Sequence, residues 1–129
     1  MFETEEQKER IILVAVATAD GDDTEQSLDE LEELGQTAGA VTVAKVIQNR
    51  EKVHAGTYVG KGKIEEIKNL AISLDADAVV CDDELSPAQY HNLQDALEIK
   101  VIDRTVMILD IFAKRASTSE GKLQVELAQ

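Results

Sequence analysis

The chain has 129 residues, 43% hydrophobic and 3% aromatic, with no tryptophan, one cysteine and a formal net charge of −13. That length suits one domain with an aliphatic core. No apolar run approaches a membrane span, the acidic start Met1-Phe2-Glu3-Thr4-Glu5-Glu6 lacks a signal peptide's apolar core, and a lone Cys81 cannot close an intramolecular disulfide, so a reduced, cytoplasmic setting is expected. The overall acidity argues against general nucleic-acid binding, which needs clustered positive charge.

Apolar runs alternate with helix-period segments along the chain, the pattern of βαβ units and a parallel sheet. The first strand is predicted over Ile11 to Ala17, a continuous apolar run suited to burial on both faces. Asp20-Gly21-Asp22-Asp23 ends it. The first helix is expected from Thr24 to Ala38, with Leu28, Leu31 and Leu34 on one side and carboxylates on the other. The second strand follows from Val41 to Ile47, with Val41, Val43 and Ile47 toward the core. Residues 48–59 carry no clear pattern. Gly60-Lys61-Gly62-Lys63 then leads into a helix from about Lys63 to Leu74 with Ile64, Ile67, Leu70, Ala71 and Leu74 at helical spacing.

Ala78 to Cys81 reads as a third strand. After it come Asp82-Asp83-Glu84-Leu85 and a helix start in which Ser86 is the N-cap, Pro87 the first helical residue and Gln89 the closing member of a capping box. Lys100 to Ile102 is the fourth strand. A fourth helix is expected from Thr105 to Ala116, with Val106, Leu109, Phe112, Ala113 and Ala116 facing in. Ser117 to Gly121 is a polar break, and Lys122 opens a new helical pattern. The expectation is a small doubly wound α/β domain over 1–116, four parallel strands in the order 2-1-3-4, followed by a linker and a truncated helix over 117–129.

Charge is unevenly spread. Residues 1–33 hold twelve acidic side chains against two basic ones, whereas 45–63 hold Lys45, Arg50, Lys52, Lys61 and Lys63 against Glu51 alone. Such a basic belt either faces solvent or touches phosphate. Gly60-Lys61-Gly62-Lys63 reads in two ways: a glycine-assisted helix start, or a backbone and lysine cradle for phosphate. It is not a P-loop, since no window fits Gly, four residues, Gly-Lys-Ser/Thr, and Ile64 stands where a magnesium-binding hydroxyl belongs. Asp82 and Asp83 lie at the carboxyl end of a strand, where α/β folds bind ligands. They serve either a ligand or the following helix, and Arg104, at the end of the next strand, is placed to pair with them. His54 and His91 have no partners at metal-ligand spacing, and no nucleophile–base constellation is present, so no metal site and no catalytic residue are expected.

Three blocks resemble the N-terminal domain of the HflX family of ribosome-associated GTPases: Thr57-Tyr58-Val59-Gly60-Lys61-Gly62-Lys63-Ile64-Glu65-Glu66-Ile67, the segment from Val79 to Gln89, and Val101 to Gln129, which includes Gly121-Lys122-Leu123-Gln124-Val125-Glu126-Leu127-Ala128-Gln129. The resemblance implies that a helical hairpin and a GTP-binding domain follow, with GTP, Mg and hydrolysis belonging to the latter. It implies a large-subunit (rRNA) partner and a role in splitting or rescuing ribosomes, with this segment giving docking and regulation. Arg50, Lys52, Lys61 and Lys63 are then the contact residues. A rival reading is an ATP-binding module using Gly60, Gly62, Asp82, Asp83 and Arg104. A receiver-like signalling domain, suggested by Asp20, Asp22 and Asp23, lacks a fifth strand and its late lysine.

Overall fold

A computed structural model describes residues 8–18 and 23–113. Four strands, β1 (Glu9–Ala17), β2 (Ala40–Asn49), β3 (Ala78–Cys81) and β4 (Lys100–Asp103), form one sheet in the order β2-β1-β3-β4. Every neighbouring pair is parallel. The expected class and strand order are therefore the observed ones. Helices α1 (Thr24–Thr37), α2 (Lys61–Leu74) and α3 (Pro87–Leu97) form the crossovers. A further helix, α4, begins at 104 and is described as far as 113.

The central strands explain the layering. Successive side chains of a strand alternate between faces. Ile12, Val14 and Val16 of β1 and Val79 and Cys81 of β3 pack with Ile64 and Ile67 of α2 and Leu93 and Leu97 of α3. Ile11, Leu13 and Ala15, with Ala78 and Val80, pack instead with Leu28 and Leu31 of α1 and Met107 of α4. Both faces are covered, which is why these strands read as unbroken apolar runs. Helix α3 starts as its sequence requires: Gln89 N–H donates to Ser86 Oγ at 3.1 Å, and Ser86 N–H donates to Gln89 Oε1 at 2.9 Å. Helices α2 and α3 end on left-handed caps at Asp75 and Glu98.

Three expectations are corrected. Val41 is 39% exposed, and Ala40 and Val46 are the buried residues of β2. The register of β2 against β1 shifts between Ile11 and Ile12, so Val43 and Ala44 both pack on the α2 side. A bulge of this kind breaks the two-residue alternation on which the expectation relied. Second, α2 begins at Lys61, so Lys61, Gly62 and Lys63 are its first turn and Gly60 its N-cap. Third, α4 turns Met107 and Ile111 toward the sheet, while Val106, Leu109 and Phe112 face outward. Asp103 fixes that rotation. Its Oδ1 accepts from Val106 N–H at 2.9 Å and its Oδ2 from Leu85 N–H at 2.8 Å, so the buried carboxylate ties the start of α4 to the loop before α3. The expectations for Asp20, Asp22, Ala116, the polar break and the helical pattern from Lys122 lie outside the described residues.

Candidate functional site

Parallel strands bring the loops that follow them to one edge of the sheet. Arg50 follows β2, Asp82 and Asp83 follow β3, and Arg104 follows β4. Arg50 N–H extends the sheet by donating to Ala17 O at 3.0 Å, and Asp82 N–H donates to Val14 O at 2.8 Å. Arg50, Asp82, Asp83 and Arg104, singled out from sequence, thus stand along one rim.

Their partners sort them by face. Asp82 and Asp83 follow β3 directly in a bend, and their partners lie on opposite sides of the sheet. Asp82 goes to the α1 side. Its Oδ2 accepts from Ser27 Oγ at 2.7 Å, and its Oδ1 lies 3.2 Å from Arg104 Nε as an ion pair without hydrogen-bond alignment. Arg104 Nη2 donates to Ser27 O at 2.8 Å. The Arg104 and Asp82 side chains are 27% and 9% exposed, so this knot is shielded from solvent. It ties α1, β3 and α4 together.

Asp83 goes to the α2 side and accepts from the Tyr58 hydroxyl at 2.7 Å. The same hydroxyl accepts from Val16 N–H at 3.3 Å, beyond the last β1–β3 partner pair, Val14 with Cys81. Tyr58 is 1% exposed and sits in the left-handed region at φ 68°. A non-glycine residue there costs about 1–2 kcal/mol, which the two buried hydrogen bonds offset. Burial, reinforced by the Asp83 carboxylate, pushes the Tyr58 phenol far above its ordinary value. Burial likewise raises the Cys81 thiol, with the neighbouring Asp103, Asp83 and Asp82 adding to the effect. A thiol held neutral in the core is a packing group.

The segment that sequence left open is a compact loop anchored by Tyr58. His54 and Tyr58 form an antiparallel bridge, closed by His54 N–H to Tyr58 O at 3.0 Å and Tyr58 N–H to His54 O at 2.8 Å. His54 Nδ1 accepts from the N–H groups of Gly56 and Thr57 at 3.1 and 3.2 Å. Gln89 Nε2 donates to His54 O and Asn92 Nδ2 to Gly56 O, both at 2.9 Å, so α3 carries the loop. Long-range contacts of Tyr58 and of α3 hold this loop, and its sequence signal is the β-prone trio Thr57-Tyr58-Val59.

The loop delivers the chain to the start of α2. Gly60 N–H donates to Gln48 Oε1 at 2.8 Å. A Cβ at Gly60 would lie 3.0 Å from Arg50 Nη1, so glycine lets the guanidinium lie against the helix start. A Cβ at Gly62 would meet nothing within 4 Å. The first turn of α2 has no side-chain cap and no acidic residue. Arg50 Nε donates to Lys52 O at 3.0 Å. Lys63 pairs with Glu66 at 2.9 Å on the helix surface, while Lys52 and Lys61 have no ion-pair partner among the described residues. Lys45 is held elsewhere, by Asp29 and Glu32 of α1 at 2.9 and 2.7 Å, and these partners raise its ammonium above the ordinary value. Among the described residues no cluster of His, Cys, Asp and Glu has metal-holding geometry, and no helix is long and apolar enough to cross a membrane.

A parallel α/β module of this topology, with a basic helix start at its carboxyl rim, matches over residues 25–113 the family described as GTP-binding GTPase N-terminal. A protein named GTPase HflX from Lacrimispora saccharolytica is 67% identical over 129 residues, covering all of this chain and 30% of the relative. GTPase HflX of Escherichia coli K12 is 43% identical with the same coverage. The chain belongs to the HflX family as an N-terminal fragment, spanning about 30% of the length of these relatives. Among solved structures, the crystal structure of an SsGBP–GDP complex superposes with a TM-score of 0.61 at 22% identity, over 93% of this chain and 33% of that one, a likeness of fold.

Proposed function

We propose that this chain is the docking module of an HflX-type GTPase that binds the large ribosomal subunit and acts in ribosome splitting or rescue, with GTP and Mg handled by the remainder of the protein. The observation that carries the reading is the open, uncapped start of α2. Its N–H groups at Lys61, Gly62 and Lys63 lack side-chain acceptors, its first turn holds Lys61 and Lys63 and no carboxylate, and the Arg50 guanidinium lies against its N-cap Gly60 and bonds the backbone of Lys52. A helix N-terminus carries roughly half a positive charge and attracts phosphate. Lys63 can leave Glu66 cheaply, because an exposed pair contributes only about 0–1 kcal/mol. In a chain of net charge −13, such a patch gives local, oriented attraction to an RNA backbone rather than general affinity.

The ATP-module reading finds less support at the rim. Asp82 is engaged by Ser27 and Arg104 on one face of the sheet, and Asp83 by Tyr58 on the other. Gly60 and Gly62 belong to the α2 face. An open cleft on the rim is lined by Ala17, Thr18, Asn49, Arg50 and Glu51, not by those residues. The test is co-sedimentation of the full-length protein with purified large subunits, native against Lys61→Glu/Lys63→Glu. The double variant is expected to leave the pellet while keeping its fold and GTP binding. Undiminished pelleting excludes the α2 start as the contact.

A further inference from the structure

The two edges of the sheet differ. β4 is four residues long, and Gln94 Oε1 of α3 accepts from its outer Val101 N–H at 3.2 Å. β2 is ten residues long and, among the described residues, pairs with β1 on one side and with no strand on the other. Edge strands are ordinarily blunted by proline, by charge or by a covering element. β2 has no proline and one charged residue, Lys45, whose ammonium is drawn onto α1 by Asp29 and Glu32. The bulge at Val43 lies toward one end and leaves Ala44 to Asn49 in regular register with β1. Arg50 N–H reaches Ala17 O. Main-chain direction alternates along a strand, so Val46 and Gln48 face β1 as Arg50 does, and the N–H and C=O groups of Lys45 and Ile47 face away from it.

That edge runs beside an acidic helix. Glu25, Asp29 and Glu32 recur at helical spacing on the side of α1 that Lys45 reaches, so three carboxylates stand against one ammonium. We propose that the outer edge of β2 is a docking surface for an extended basic segment of another protein, added to the sheet as a fifth strand with its lysine or arginine side chains toward α1. Main-chain hydrogen bonds give such an addition its affinity, and side chains on alternate residues give its selectivity. The same charges disfavour a second copy of the chain. Two-fold pairing of β2 edges sets α1 beside α1 on one face, and each chain carries a net charge of −13. The surface is separate from the α2 start and stands whether or not that start touches RNA.

The test is amide exchange followed by NMR on the 129-residue chain, with an end-blocked peptide of alternating lysine and valine as probe. Without peptide, Lys45 and Ile47 should exchange about tenfold or more faster than Val46 and Gln48, whose N–H groups face β1. With saturating peptide, Lys45 and Ile47 should slow by about tenfold or more. Proline in place of each valine keeps the peptide's charge and removes its strand, and glutamate in place of each lysine reverses its charge. Neither control should slow these amides. Equal slowing by either control, or no slowing by the lysine–valine peptide, overturns the proposal. Protection of Lys45 and Ile47 without peptide, in this chain or in the full-length protein, also overturns it, because the edge is then already covered. Protection that rises with protein concentration overturns it too and assigns the edge to a second copy.

Discussion

Tyr58→Phe removes one oxygen and isolates the clamp that holds the basic rim to the sheet. The phenol donates to the Asp83 carboxylate at 2.7 Å and accepts from Val16 N–H at 3.3 Å. A hydrogen bond to a charged acceptor contributes about 1.5–3 kcal/mol, and a buried N–H left unpaired costs about 1–3 kcal/mol. The two terms share one atom and do not add fully, so a loss of about 3 kcal/mol is expected. For a chain of this length that lowers Tm by roughly 10 °C. Urea unfolding of the native chain, Tyr58→Phe, Asp83→Asn and the double variant supplies the cycle, with a coupling of about 1.5–2.5 kcal/mol expected between the two sites. The aromatic ring stays in place, so packing is unchanged and the polar contribution is read directly. A cost below about 0.5 kcal/mol, or strictly additive single changes, refutes the clamp.

Asp103→Ala strips the acceptor from Leu85 and Val106 N–H; a loss of about 2–4 kcal/mol is expected, read by denaturant unfolding. Gly62→Ala meets open space inside the first turn of α2. It should stabilise by about 0.4–1 kcal/mol, and by calorimetry Tm should rise. Alkaline pH should destabilise the fold. The Cys81 thiol and Tyr58 phenol ordinarily titrate near 9.0 and 10.0, and burial raises both in the folded state. Above pH 9 the unfolded chain therefore loses protons that the native chain keeps, and stability falls with each further pH unit by about 1.4 kcal/mol per group. Unfolding curves from pH 8 to 11 check this, with Cys81→Ala expected to delay the onset toward pH 10.

The sheet was legible because its central strands are apolar on both faces and each crossover carries a helical period. The capping box at Ser86 and Gln89 is local chemistry and could be read residue by residue. Val41 and α4 show where such reading stops. The bulge that reorients β2 depends on its pairing with β1, and the rotation of α4 depends on Asp103 reaching Leu85 across the sheet. Pattern alone gave α4 an apolar side but not the side that packs inward, because both of its sides are apolar. The convergence of Arg50, Asp82, Asp83 and Arg104 on one rim followed from parallel topology. Their separation onto two faces followed only from long-range partners, Ser27 and Arg104 for Asp82 and Tyr58 for Asp83. The clamp of Tyr58 on Asp83 spans 25 residues and left no local signal.

The salt dependence of binding weighs most directly on the account. Titrating the full-length protein against large ribosomal subunits at several salt concentrations, native beside Lys61→Glu/Lys63→Glu, measures how many phosphates the α2 start neutralises. Each lost phosphate contact lowers the slope of log K against log salt by about 0.7–0.9. A drop of about 1.4–1.8 with weaker binding is the expected result. Parallel lines of equal affinity would contradict the docking role assigned to this rim.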